Sequence, residues 1–197
     1  MVLKLASGKF KGKTLASSSS ARELRPTQAK VREAIINTLT SIFVNQEISF
    51  EDLIVLDLFS GTGSMGFEFL SNNAAHVTFI DYDPKCLKLL KDNSNNLKIQ
   101  DKVSILRGEL PGVLKRLKGQ KYNLVFCDPP FKISPELYFM CLEVILAQKL
   151  VPESGIWVLE YKNHDLADLI SSKSACGLDL IKVKDYGDAI VAYAKTK

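Results

Sequence analysis

Apolar positions recur along the chain with two different periods. Residues 3–15 alternate weakly between apolar and polar and carry Gly8 and Gly12, which predicts one or two short strands. Ser17–Ser20 reads as a flexible connector. From Thr27, a suitable N-cap, Val31, Ile35, Leu39 and Ile42 return at helical spacing and predict a helix to about Phe43. Beyond residue 50, short apolar runs alternate with helical stretches. Strands are predicted at 53–58, 76–81, 103–107, 122–127 and 155–161, with helices at 62–73, 84–97, 110–117, 135–148 and 165–172. The last two strands, 178–184 and 189–194, are joined by Asp185-Tyr186-Gly187-Asp188, a tight hairpin.

Five β–α units predict a parallel sheet covered by helices on both faces, and the closing hairpin adds an antiparallel strand. The expected architecture is doubly wound α/β, with residues 46–197 as the main domain and 1–45 as a short β/helical appendage. Ligands of such sheets bind beyond the carboxyl ends of the strands, so the residues just after each strand come first.

At 197 residues with 46% hydrophobic content, the chain can bury a core without disulfide or metal staples. No apolar run approaches the roughly 18 residues of a membrane span. The N-terminus has charges but no following apolar stretch, so a soluble, cytoplasmic protein without a signal peptide is expected. Cys86, Cys127, Cys141 and Cys176 are scattered, and His76 and His164 stand alone, so no metal site is expected. The net charge of +4 is uneven. Residues 1–32 hold eight cations against Glu23, a net +7, leaving −3 for the remainder. A basic arm on a mildly acidic body fits a polyanion met at one face, or a solvated hairpin.

The first strand of the main domain runs into Asp57-Leu58-Phe59-Ser60-Gly61-Thr62-Gly63-Ser64-Met65-Gly66. Gly61, Gly63 and Gly66 satisfy G-x-G-x-x-G, and Asp81 ends the second strand 20 residues after Gly61, a fingerprint for binding a ribose-bearing cofactor. Asp57 counts against a pyrophosphate, because two like charges 4 Å apart cost about 4 kcal/mol at an effective dielectric of 20. The carboxylate favours S-adenosylmethionine (SAM), which has a ribose, no phosphate and a cationic end, over a dinucleotide.

The fourth strand delivers Asp128-Pro129-Pro130-Phe131 to the same edge. Two prolines stiffen the turn and present carbonyl oxygens without competing N–H groups. An Asp carboxylate beside a carbonyl, with an aromatic face next to them, suits a planar base bearing an exocyclic amine. Two acceptors on the amine hydrogens would aim its lone pair at an electrophilic methyl, catalysis by positioning and electrostatics.

Asp-Pro-Pro-Phe in this place resembles the motif of SAM-dependent amino-methyltransferases. G-K-F-K-G-K-T-L at 8–15, R-P-T at 25–27, V-R-E-A at 31–34, V-L-D-L-F-S-G-T-G-S-M-G at 55–66 and Y-G-D-A-I-V-A-Y at 186–193 resemble the RsmD family of bacterial 16S rRNA guanine-N2 methyltransferases. The resemblance runs nearly end to end. It implies a Rossmann-like methyltransferase fold, a mostly parallel seven-stranded sheet with a reversed last strand. Carried over by position, Asp57, Phe59, Ser60, Gly61 and Gly63 would line the methionine end of SAM, Asp81 would hold the ribose, and Tyr82 would lie beside the adenine. Gly108 and Glu109 would flank the adenine edge. Asp128 and the Pro129 carbonyl would hold guanine N2 in the turn stiffened by Pro130, with Phe131 stacking on the base.

On that reading Lys9, Lys11, Lys13, Arg22, Arg25 and Arg32 hold phosphate of 16S rRNA or of an assembling small subunit. The base would be flipped out to reach the cleft. A monomer is the expected state. A DNA adenine-N6 methyltransferase would use the same turn, but no gap between elements is long enough for a target-recognition insertion. A non-catalytic rRNA-binding assembly factor would not require the intact Asp57, Gly61, Gly63, Asp81 and Asp128–Phe131 set.

Overall fold

The computed structural model describes residues 3–17, 29–130, 133–161, 177–187 and 189–197. It is α/β, with seven long strands in a mostly parallel sheet. The chain divides into two compact units, 1–107 and 108–197.

The first unit opens with β1 (Leu3–Lys4) and β2 (Thr14–Leu15), an antiparallel pair, followed by helix α1 (Ala29–Gln46). Thr27, the expected cap, lies outside the described residues. Val31, Ile35, Leu39 and Ile42 are buried as the helical spacing requires. Then come β3 (Ile54–Leu58), α2 (Ser64–Ser71), β4 (His76–Asp81), α3 (Pro84–Leu97) and β5 (Val103–Arg107). The strands are parallel in the order β5-β4-β3, with β4 paired to both neighbours. Their registers place Leu58 beside Ile80 and Asp81 beside Arg107, so β3, β4 and β5 end at one edge.

Local chemistry sets these boundaries. Asp83 caps α3, its carboxylate accepting from the Lys85 amide at 2.8 Å, and Pro84 occupies the first helical position, where its missing N–H costs nothing. Lys98 ends the helix in the left-handed conformation. α2 begins two residues later than predicted, because Gly63 at φ 74° belongs to the preceding loop.

The second unit contains β6 (Leu124–Cys127), α4 (Pro135–Ala147), β7 (Ile156–Tyr161), β8 (Leu178–Asp185) and β9 (Ile190–Thr196). Its order is β6-β7-β9-β8, with β6 and β7 parallel and β9 antiparallel to both its neighbours. The last strand is therefore reversed and inserted inside the edge strand. The Trp157 indole donates to the Thr196 hydroxyl at 2.9 Å, tying β7 to β9. The helix predicted at 110–117 is a 3-10 turn over Gly112–Leu117, too short for α geometry between Pro111 and Gly119. Prediction of a helix at 165–172 falls outside the described residues. No helix among the described residues is long and apolar enough to cross a membrane.

Candidate active site

In the first unit the loop after β3 is shaped by its backbone. Phe59 at φ 55°, Gly61 at 52° and Gly63 at 74° all lie in the left-handed region. A bulky residue there costs roughly 1–2 kcal/mol, a strain that belongs to function more often than to packing. The Ser60 hydroxyl bridges the two strand ends. It lies 2.7 Å from the Asp57 carbonyl and 3.1 Å from the Ile80 carbonyl, and it accepts from the Ile80 amide at 2.8 Å. The side chain of Ser60 thus holds β3 to β4 within the loop expected to line the cofactor.

The three glycines serve different ends. A Cβ on Gly66 would come within 2.1 Å of the Phe79 ring and 2.7 Å of an Asp57 carboxylate oxygen. One on Gly63 would strike Leu90 and Phe67. One on Gly61 would meet only the Phe59 carbonyl oxygen, at 3.9 Å. Gly63 and Gly66 thus let α2 pack closely, and Gly61 is the open point of the loop.

Two carboxylates frame that point. Asp57 is buried, and its Oδ2 accepts from the Gly66 amide at 3.1 Å. Asp81 accepts from the Gly61 amide on Oδ2 and the Asp83 amide on Oδ1, both at 2.8 Å. Burial pushes the Asp81 carboxyl above its ordinary value and the Asp83 charge adds to that, while hydrogen bonds from the Asp83, Gly61 and Tyr82 amides pull it down. Tyr82 follows with 66% of its surface exposed, an aromatic presented to solvent at a strand end. An open glycine, two carboxylates and an exposed ring are groups that fit the cationic end, ribose and adenine of SAM.

In the second unit, Gly108 cannot carry a side chain, because a Cβ would meet Val113 at 2.5 Å. Glu109 is exposed, and its carbonyl accepts from the Val113 amide at 3.0 Å. Asp128 follows β6 half-buried, Pro129 is buried and Pro130 is exposed. The Pro130 carbonyl accepts from the Ile133 amide at 3.0 Å, which closes the turn. Phe131 lies outside the described residues.

Sequence reasoning missed Tyr138. It projects from α4 with no exposure, and burial pushes its hydroxyl well above the ordinary tyrosine value, with Cys127, Tyr161 and Asp128 adding to the shift. Tyr138 therefore keeps its proton and does not act as a base. Burial likewise pushes the Cys86 and Cys141 thiols to about 12, so neither is a thiolate nucleophile at neutral pH. Among the described residues no group of His, Cys, Asp and Glu could hold a metal ion.

The basic residues divide. Lys9, Lys11 and Lys13 are exposed on the β1–β2 turn, with the Lys9 ammonium 5.1 Å from the centre of the half-buried Phe10 ring. Arg22 and Arg25 lie outside the described residues. Arg32 corrects the expectation of a phosphate contact. It is 2% exposed, its Nε donates to Glu68 at 3.0 Å, and its Nη2 donates to the Lys4 carbonyl at 2.5 Å. An apolar face of α1 turned to the core carries this guanidinium inward with it. The missed signal was Glu68, a lone carboxylate between Phe67 and Phe69 in a helix with no other charged residue.

Residues 3–195 match the protein family described as conserved hypothetical protein 95. The chain belongs to that family. Among its relatives are an uncharacterized methylase of Rickettsia prowazekii, 36% identical with 95% of each chain covered, and the ribosomal RNA small subunit methyltransferase D of Buchnera aphidicola from Acyrthosiphon pisum, 32% identical over 64% of this chain and 62% of that one. The resemblance to the RsmD family read from the motifs holds with them. The fold is that of Rossmann-like methyltransferases. A putative methyltransferase from Escherichia coli, yhhF, superposes with a TM-score of 0.78 at 21% identity, covering 100% of this chain and 99% of that one. The SAH-bound Podospora anserina methyltransferase PaMTH1 does so at 0.68 and 14% identity, covering 91% and 82%.

Proposed function

We propose that this chain transfers a methyl group from SAM to the exocyclic N2 amine of a guanine in small-subunit rRNA, acting as a cytoplasmic monomer. What supports the reading is that one member of this family carries both an open Gly61 between Asp57 and Asp81 in the first unit and an Asp128-Pro129-Pro130 turn after β6 in the second. SAM supplies, when bound, a methyl on a cationic sulfur. The chain's own residues do the rest. Asp57 offers a negative charge to the cationic end, Asp81 accepts from ribose hydroxyls, and Tyr82 covers the adenine. Gly108 and Glu109 flank the adenine through their backbone.

A guanine amine is a poor nucleophile, because its lone pair is delocalised into the ring. The Asp128 carboxylate and the Pro129 carbonyl accept its two hydrogens, and Phe131 stacks on the base. The nitrogen turns towards tetrahedral geometry with its lone pair aimed at the methyl. The Pro130 carbonyl already accepts from the Ile133 amide, which supports Pro129 as the second acceptor. Transfer would break the methyl–sulfur bond, leave the donor as a neutral thioether and make the nitrogen cationic; Asp128 would stabilise that charge and take the proton, passing it to solvent. Lys9, Lys11 and Lys13, with Arg22 and Arg25, meet RNA phosphate.

The test is transfer of labelled methyl from SAM to small-subunit rRNA, or to subunits lacking the modification, followed by nucleoside analysis. N2-methylguanosine at one position is expected. Label in N6-methyladenine would keep the amine chemistry and overturn the base. No incorporation into RNA or subunits, with SAM still bound, would leave an rRNA-binding factor.

A further inference from the structure

The methyl-transfer reading leaves unused a buried polar cluster at the far end of α2. This helix starts at the cofactor loop and, at 1.5 Å per residue, its eight residues span about 12 Å. Glu68, fully buried, accepts from the Ala6 amide at 2.7 Å, the Ser7 amide and hydroxyl at 3.2 Å each, and Arg32 Nε at 3.0 Å. The Ser71 hydroxyl donates to the Ser7 carbonyl at 2.5 Å and accepts from the Phe10 amide at 3.0 Å. The Ser71 carbonyl accepts from the Lys9 amide at 2.7 Å, and Asn72 Nδ2 donates to the Ser7 hydroxyl at 2.7 Å. On α3, Asn93 exchanges two hydrogen bonds with the Ala16 backbone, at 2.7 and 3.2 Å. The basic turn is thus gripped at both ends, and Lys9, Lys11 and Lys13 stand exposed between the grips.

Stability alone is a poor reason for this arrangement. A buried ion pair can often be replaced by apolar side chains at no loss. A hairpin with two residues per strand has no stability of its own, so whatever orients it must come from the helices. We propose that Glu68, with Arg32 and Ser71, is a positioning clasp that fixes the Lys9–Lys13 turn at one distance from the methyl-donor loop, with α2 as the spacer between phosphate contact and transferred methyl. The clasp rests on the rRNA methyltransferase reading. Its contribution is preorganisation, so that lysines already in place lose less freedom on meeting RNA.

Gly8 provides the test. It sits at φ 73° against α2, and an added Cβ would fall 2.0 Å from the Ser71 carbonyl oxygen. Gly8→Ala therefore pushes the turn off α2 while changing no charged side chain. The expected result is a KM for RNA raised on the order of tenfold, with a shallower salt dependence, while kcat at saturating RNA and the Kd for SAM stay unchanged. Ser71→Ala, which removes two of the grips, should shift KM in the same direction by less and serves if Gly8→Ala does not fold. A lowered Tm with an unchanged RNA KM in the variant that folds overturns the clasp and leaves a structural contact only. If Lys9→Gln/Lys11→Gln/Lys13→Gln raises the RNA KM and both grip variants do not, the clasp fails while the functional reading stands. A wild-type chain that methylates no rRNA removes the reading and the clasp together.

Discussion

Single atoms separate residues that look alike in the motif. Gly61, Gly63 and Gly66 read equally as a cofactor fingerprint, yet Gly66 is glycine because Phe79 and Asp57 lie where a Cβ would go. Gly66→Ala should lower stability by about 1–3 kcal/mol through overpacking, measured by denaturant unfolding. Gly61→Ala has space but a left-handed φ, so it should cost roughly 1 kcal/mol of fold and far more in SAM affinity, checked by calorimetry. Asp81 brings a pH dependence. On the proposed reading its ionised form accepts ribose hydroxyls, and burial holds its carboxyl above the ordinary value. SAM affinity should therefore fall, as pH is lowered, sooner than for an ordinary carboxylate. The folded state gains over the same descent, because it binds the proton more readily than the unfolded chain does. Asp81→Asn should flatten the SAM titration. Asp128→Ala should reduce methyl transfer by about 10²–10³-fold with SAM affinity kept, in single-turnover assays.

Elements were legible where their ends carry chemistry of their own. Asp83-Pro84 and Ser134-Pro135 start α3 and α4, each with a side-chain cap on a backbone amide. Spacing could not reveal that α1 carries Arg32 inward, because the guanidinium's partner lies 36 residues away on α2. That pair sets an expectation at this scale. Glu68→Gln leaves a buried guanidinium without its countercharge and should cost about 3–5 kcal/mol. Thermal unfolding should drop by on the order of 10 °C. Arg32→Met/Glu68→Leu should recover part of the loss, since neither charge then remains buried while the Ala6 and Ser7 amides lose their acceptor. Recovery of stability without recovery of RNA KM would separate the fold from the clasp.

For the molecule, alternation of apolar runs and helical stretches was enough to determine the α/β class, the parallel strands and the reversed final hairpin, because period and length are local properties. The motifs determined the family, since each is a short run of at most a dozen residues and survives without any knowledge of packing. Only tertiary structure decided which loop groups remain open and which are consumed. Ser60 spends its hydroxyl on strand ends, Gly108 makes way for Val113, and Tyr138 is fully buried. It also decided that β9 enters between β7 and β8, held by Trp157 to Thr196, and that the basic hairpin is gripped by α2. These outcomes depend on partners distant in sequence, and a buried polar group takes whichever partner folding brings within about 3 Å.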